Sequence, residues 1–481
     1  MSSRAPLDAI VVGSGPNGLA AAIALARAGH SVRVYEGQPT IGGGARSAEL
    51  TRPGFVHDIA STVHALALLS PFLKALPLEQ FGLQFAHPEA PFAHPLDDGT
   101  AVMVERSIDA TASALGNHDG RAYAKLVTPF VENWEALMEA LLGPFSIRHP
   151  ITMARFGLPA GLSAERLSKY VFEGERARAM FAGVAAHSMV PLDMLATSGY
   201  ALGLIIAAHK VGWPVSRGGA QQLANALAAY LRSLGGEIVT GTPVESLAAL
   251  PPSRVVLLDV TPRQLVRIAG DRLSRFNRWR LTRYRYGPGV FKMDWALNAP
   301  VPWRARECHR AGTVHLGGSL EEIAQSERAA WDRRDAERPY VLLVQPSLFD
   351  PTRAPAGKHT LWAYCHVPNG STVNMRERIE RQIERFAPGF RDCIEEVHVM
   401  APADLERSNA NLVGGDIAGG AADLAQLYTR PVASFNPYKT SIDNVFLCSS
   451  STPPGVGVHG MSGYHAARAA MKALRGSRGS P

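Results

Sequence analysis

The 481-residue sequence is poor in cysteine: Cys308, Cys365, Cys393 and Cys448 lie far apart, and no C-x-x-C pair occurs. That pattern argues against a dithiol redox centre, a zinc ribbon or a disulfide framework, so no metal site is expected and a reducing compartment is. No uninterrupted apolar run reaches the ~18 residues that a membrane-spanning helix needs. No apolar leader core precedes the first predicted strand, so no secretory signal is read and a cytoplasmic location is expected. A second complete G-x-G-x-x-G unit is also missing, which argues against a separate nicotinamide domain.

What is present is a chain with 46% apolar residues, long enough for two packed domains. The formal charge is +7 and the isoelectric point near 9.3. The excess is mostly arginine, concentrated over residues 267–285 among Leu, Trp and Tyr. Without a recognition motif, nucleic-acid binding is not expected; a solvated basic face, able to touch anionic lipid, is the reading that remains.

The most informative segment is AIVVGSGPNGLAAAIALARAGHSVRVYE, residues 9–36. An apolar strand leads into a turn with Gly13, Gly15 and Gly18 in G-x-G-x-x-G spacing, with Pro16 and Asn17 between them. An Ala-rich helix follows, stopped at Gly29, then a second strand ending at Glu36. Such a turn lets the backbone approach a pyrophosphate at a helix N-terminus, and a carboxylate about 20 residues on can accept the ribose hydroxyls of an adenosine. Glu36 would also repel a 2'-phosphate.

Further along, Gly42 and Gly43 form a second glycine cluster, and residues 53–66 carry His57, Asp58 and His64 in an apolar stretch. Helical periodicity dominates residues 107–212, with long helices predicted over 122–142 and 195–209. The apolar run 201–208 fits a buried helix, a pocket wall or a membrane contact, the buried helix being favoured. Residues 216–247 read as a glycine pair, an amphipathic helix and strands ending near Val244; VVLLDVTP, residues 255–262, reads as a buried strand entering a helix. Residues 286–303 and 360–367 read as strands of a second sheet. The final unit is a strand, a Ser, Pro and Gly loop from Ser449 to Gly460, and a small-residue helix, the arrangement in which open α/β sheets place ligands.

Together these segments resemble the FAD-dependent oxidoreductases of the phytoene desaturase and amine oxidase superfamily, along nearly the whole chain. The PGF segment after the glycine pair and the FLC strand before the last loop resemble the branch that holds phytoene-dehydrogenase-like proteins and pyridine nucleotide-disulphide oxidoreductase domain-containing protein 2. The resemblance implies an α/β fold: a glutathione-reductase-type, Rossmann-like FAD domain (residues 1–106, 210–287 and 431–481) and an α+β substrate domain with a helical insert (107–209 and 288–430). It implies that Gly13, Gly15, Pro16, Asn17 and Gly18 face the FAD pyrophosphate and Glu36 the ribose. Gly42 and Gly43 would adjoin the cofactor, Val244 would present its backbone to adenine, and Ser450, Gly455, Gly460 and Met461 would lie along the ribityl chain and isoalloxazine.

Three departures stand out. Gly44 replaces the arginine common after the glycine pair, leaving Arg46 as its substitute. Ser449, Ser450 and Ser451 stand where Gly-Asp is usual. No cysteine for flavin attachment lies in the last loop, so noncovalent FAD is expected. The resemblance also places Lys292 where a lysine holds a water at the flavin N5 position; a salt bridge to Asp294, on the same strand face, is the competing reading. His459, beside Gly460, is either a proton-handling group or a satisfied loop histidine, and His465 is a further polar candidate.

The expected function is hydride transfer from a hydrophobic substrate, with isoprenoids or carotenoid-like molecules as candidates, to FAD. Two alternatives stay open. A flavin amine oxidase would need an aromatic cage, for which Trp295, Trp362 and Tyr364 are available. A non-catalytic binding protein would have lost the flavin. Oxygen, a quinone and a nicotinamide all remain as electron acceptors, and the oligomeric state is not encoded in any motif. Peripheral membrane contact is a further expectation from the basic segment.

Overall fold

The computed structural model describes residues 6–143 and 149–476. Five parallel strands form the first sheet, in the order Val445–Leu447, Ser253–Leu258, Leu7–Val12, Val32–Tyr35 and Glu237–Val239. Its central strands are apolar almost throughout because helices cover both faces. The helix Pro16–Arg27 begins with proline at its first turn, where no amide partner is lost, and buries every residue from Asn17 to Ala26. It packs against the last helix, Met461–Gly476, at a separation only glycine allows: a Cβ on Gly463 would fall 1.8 Å from the Asn17 carbonyl oxygen.

The second sheet has seven strands, ordered Ile394–Met400, Gly289–Leu297, His359–Val367, Val341–Val344, Ala311–Leu316, Ala90–Pro95 and Ala101–Val104. All pairs are antiparallel except Ala311–Leu316 with Ala90–Pro95. The period of two sorts its residues. Phe291, Met293, Trp295, Leu361, Ala363 and Cys365 join the outer core, closed by Ile379, Ile383 and Phe386 of the helix Arg376–Phe386. Lys292, Asp294, Trp362, Tyr364 and His366 point the other way, toward the first sheet and the helical layer.

That layer holds the helices between Ile108–Leu115 and Thr197–Val211. The single helix expected over 122–142 is two, Asn117–Glu132 and Trp134–Leu141. Pro129 lies inside the first, and at the break the Asn133 side chain, in place of a ladder amide, donates to the Pro129 carbonyl at 2.9 Å. The run 201–208 belongs to Thr197–Val211 and is a core helix, with Leu202, Ile205, Ile206, Ala207 and Ala208 fully buried. No helix among the described residues is long and apolar enough to cross a membrane.

Two expectations need correction. The first segment of the FAD domain cannot run to residue 106, because Ala90–Pro95 and Ala101–Val104 form one edge of the second sheet. Val244 lies on no strand: the chain leaves Glu237–Val239 and passes Val244 irregularly along the cleft.

Candidate active site

A cleft of about 540 Å³ starts at the carboxyl ends of the parallel strands and runs between the two sheets. Its first half is lined by Gly13, Gly15, Pro16, Asn17, Glu36, Gly43, Arg46, Val244, Asp259 and Ser450. These are mostly the predicted cofactor residues, gathered from both ends of the chain. The turn geometry explains the glycines. A Cβ on Gly18 would lie 2.1 Å from the Gly13 carbonyl oxygen, and one on Gly43, at φ 54°, would lie 3.0 Å from Gly15 Cα. Two backbone loops therefore meet without side chains, leaving amides at the start of a buried helix, and the Asn17 side-chain oxygen has no partner.

Glu36 stands at the adenine end. Its Oε2 accepts from the Ser14 amide (2.9 Å) and hydroxyl (2.6 Å), and its Oε1 from the Gln38 amide (2.9 Å). Carboxylate capacity remains on Oε1 for a ribose hydroxyl. Arg46 donates from Nε to the Gly43 carbonyl (2.9 Å) and from Nη2 to Ser408 (2.5 Å), pinning the second glycine cluster. Gly18, Gly42, Gly455, Gly460 and Met461 sit behind the lining, where they set the backbone path. Val456, Gly457 and Val458 form the wall in the last loop.

The second half is an apolar chamber walled by Met189, Leu204, Trp213, Leu342, Val344, Trp362 and Tyr364, with Thr313, Ser188 and His187 as its polar groups. Among the described residues no carboxylate lines this half. Trp362 and Tyr364 meet edge to face at 5.2 Å, and the Trp362 indole N–H donates to the Asp58 carbonyl at 3.0 Å. Trp295, expected with them, is on the opposite face of the sheet against Phe390; it pairs with Leu361, not Trp362.

Lys292 is fully buried and bonded through Nζ to Asp294, the partner on its own face, with the Trp362 ring 6.0 Å away. Burial lowers its pKa and Asp294 counters the fall. It stands behind Trp362, not on the cleft wall. His57 Nδ1 lies 3.7 Å from the same Asp294, and burial holds it neutral, with a pKa of about 4. His459 caps the last helix: its Nδ1 accepts the Met461 amide at 3.0 Å, and burial lowers it to about 4. His465 donates from Nε2 to the Leu142 carbonyl (2.9 Å), away from the cleft. Asp58 is tied to the Arg353 guanidinium at 2.8 Å, and Arg353 also binds Asp350 at 3.1 Å, so this buried triad fastens the two regions together. His64 does reach the cleft wall, bonded to Ser216 at 2.9 Å.

Several residues were not foreseen. His187 reaches the chamber and shares a 2.9 Å Nε2–Nε2 bond with His315, whose ring packs near Phe92, Trp213 and Tyr340. Both pKa values are depressed, first by burial, His187 to about 3, so one neutral ring donates and the other accepts. Arg430 is buried and holds the Ser450 carbonyl at 3.1 Å. Asp259 lies in the glycine turn itself. Its place at the carboxyl end of a parallel strand was the available signal.

Comparison with known proteins agrees with this geometry. Residues 17–471 match the family described as flavin containing amine oxidoreductase, so the chain belongs to it. It is 28% identical to the mouse (Mus musculus) pyridine nucleotide-disulfide oxidoreductase domain-containing protein 2, over 97% of this chain and 94% of the other. It is 25% identical to phytoene dehydrogenase of Streptomyces griseus, covering 95% and 93% of the two chains. A crystal structure of an oxidoreductase from Methanosarcina mazei shares the fold with a TM-score of 0.66 at 16% identity, covering 97% of this chain and all of that one. The protein is an FAD-dependent oxidoreductase, and the flavin-free alternative falls away. The paired glycine loops, Glu36 and the open amides fit a bound dinucleotide.

Proposed function

We propose that the protein dehydrogenates an uncharged, hydrophobic substrate of isoprenoid type, held in the chamber beside the flavin. The supporting observation is the chamber wall: aliphatic and aromatic side chains with, among the described residues, no carboxylate to receive an ammonium. Bound FAD supplies hydride acceptance. The chain's own groups exclude water and pass on the proton: Trp213, Leu342, Val344 and Trp362 enclose the reacting carbons, and neutral His187, hydrogen-bonded to His315, is the polar group through which the proton that leaves with the hydride passes to solvent. Amine oxidation is the second reading, supported by the Trp362 and Tyr364 corner. Anaerobic mixing of the FAD-loaded protein with acyclic isoprenoid hydrocarbons, and separately with diamines, tests both. The expected result is bleaching of the visible flavin band by the hydrocarbons; bleaching by diamines alone reverses the order.

The reading extends to a peripheral membrane contact. On the helix Arg275–Leu281, Phe276 and Trp279 stack at 6.0 Å while 66% and 50% exposed, flanked by Arg280 and Arg283. Aromatic rings with arginines suit an anionic interface. Co-sedimentation with phosphatidylglycerol vesicles, lost in Phe276→Ser/Trp279→Ser and absent with phosphatidylcholine, is the expected result.

A further inference from the structure

The first half of the cleft contains an acid where a dianion must lie. Asp259 follows the strand Ser253–Leu258, and its Oδ2 accepts the Gly18 amide at 2.9 Å. A Cβ on Gly15 would meet that oxygen at 2.8 Å and one on Gly18 at 3.1 Å, so the carboxyl fills the hollow of the glycine turn. The backbone fixes it there: its amide donates to the Val12 carbonyl (2.7 Å), and its carbonyl accepts from Asn411 Nδ2 (2.9 Å). Asp259 is 7% exposed, and that surface is cleft wall.

No cation is paired with it among the described residues. Glu36 faces it across the turn, and Cys448, on the neighbouring strand end, is a neutral thiol pushed well above its usual range by burial and by Asp259. Arg46 is committed to the carbonyls of Gly43 and Ser408, and Gln264 and Arg267 line the adenine side. Asp259 makes no salt bridge among the described residues. An ionised Asp259, with Glu36 near it, would confront the phosphates of FAD in a buried site, where like charges repel strongly.

We propose that Asp259 binds the FAD pyrophosphate as a neutral carboxylic acid, so that cofactor binding takes up one proton from solvent. Oδ2 keeps the Gly18 amide, and the proton on Oδ1 donates to a phosphate oxygen; no covalent bond of the cofactor changes. Burial, opposed by the Gly18 amide and reinforced by Glu36, already raises the acid to about 7, and the phosphates raise it further. Below that value the acid is neutral before FAD arrives. Above it each binding event must protonate the group, and affinity falls up to tenfold per pH unit. Other titrating groups of the cleft lie outside this window: burial holds His64 near 4 and His187 near 3. Asp416, also raised by burial, is bonded to the Gly287 and Ala418 amides and does not face the turn.

The test is titration of flavin-stripped, full-length protein with FAD at pH 6.5 and 8.5, followed by flavin fluorescence. Calorimetry at pH 8 in phosphate and in Tris counts the protons. Wild type is expected to bind about 10-fold or more weakly at pH 8.5 and to take up close to one proton. Asp259→Asn, which keeps an acceptor for Gly18 and gains an N–H donor, is expected to bind with no pH dependence and no proton uptake, and more tightly than wild type at pH 8.5. Equal wild-type affinity at the two pH values with no proton uptake overturns the proposal, and that measurement stands even if the variant does not fold. Absence of FAD binding at both pH values overturns it together with the cofactor assignment.

Discussion

The two halves of the cleft are built in opposite ways. The dinucleotide half is mostly backbone: glycine turns, helix amides and one acid at a strand end, with most of its parts within the first 46 residues. The substrate chamber is entirely side chains, brought together from residues as far apart as Met189, Leu342 and Tyr364. A backbone site tolerates almost no substitution at its glycines but depends little on which side chains surround it. A side-chain site can change its ligand while the scaffold stays intact. The contrast predicts that cofactor binding and substrate choice separate under mutation, except where one buried triad serves both.

That exception carries the largest expected effect. Arg353 joins Asp58, beside the dinucleotide half, to Asp350 in the other region, and Asp350 in turn accepts the Gly218 amide. Arg353→Met leaves two buried carboxylates without their cation, and the cost expected in urea unfolding is about 3–5 kcal/mol. Acid acts on the same bond. Burial alone would raise the Asp58 carboxyl, yet Arg353 and the Ser47 and Ala220 bonds hold it below the usual range. Its contribution is therefore full above the unfolded carboxylate pKa and is lost as pH falls through the lower folded value. An unfolding free energy unchanged in Arg353→Met would show that the halves are fastened elsewhere.

Within the dinucleotide half, Gly18→Ala forces a methyl group onto the Gly13 carbonyl oxygen, 2.1 Å from the ideal Cβ. The backbone must move, and FAD affinity is expected to fall about 100-fold, close to 2.7 kcal/mol. The chamber predicts the reverse. Trp362→Ala removes a wall and the indole bond to Asp58, so kcat/KM for the identified substrate is expected to drop about 10-fold or more while FAD affinity stays within twofold. Flavin fluorescence titration checks the FAD affinity of both variants, and steady-state kinetics checks kcat/KM. A Trp362→Ala protein that cannot retain flavin would join the halves that this comparison separates.

The same contrast explains what the sequence shows. Gly13, Gly15, Gly18 and Glu36 are close in sequence because one strand, turn, helix and strand unit presents them together, so spacing alone is diagnostic. The period of two similarly places Lys292 beside Asp294, and it would have put Trp295 with Phe291 and Met293, away from Trp362. His187 and His315 carry no such signal. They are 128 residues apart, one in a short turn that follows a helix and the other inside an interior strand, and only the packing of the helical layer on the second sheet joins them. The strand pair over residues 90–104 is equally silent about its sheet, because its partner strand comes more than 200 residues later.

The smallest predicted effect tests whether the histidine pair is an energetic cost of the chamber as well as a proton site. His187 is half-buried on the chamber wall, with a folded pKa of about 3 against 6.5 for the free side chain, and His315 is also lowered by burial. A depressed histidine contributes its stability fully above the unfolded value and loses it as pH falls toward the folded one, since the unfolded chain takes the proton first. At pH 5 this amounts to roughly 2 kcal/mol for His187. His187→Phe keeps a ring against Trp213 and removes the group that titrates. The variant is therefore expected to lose less stability than wild type between pH 7 and pH 5, by about 1–2 kcal/mol in urea unfolding, while its FAD affinity at pH 7 is unchanged and its substrate turnover falls. An equal acid loss in the two proteins would mean that His187 opens to water before the rest of the fold, and the chamber would then be the loosest part of the cleft.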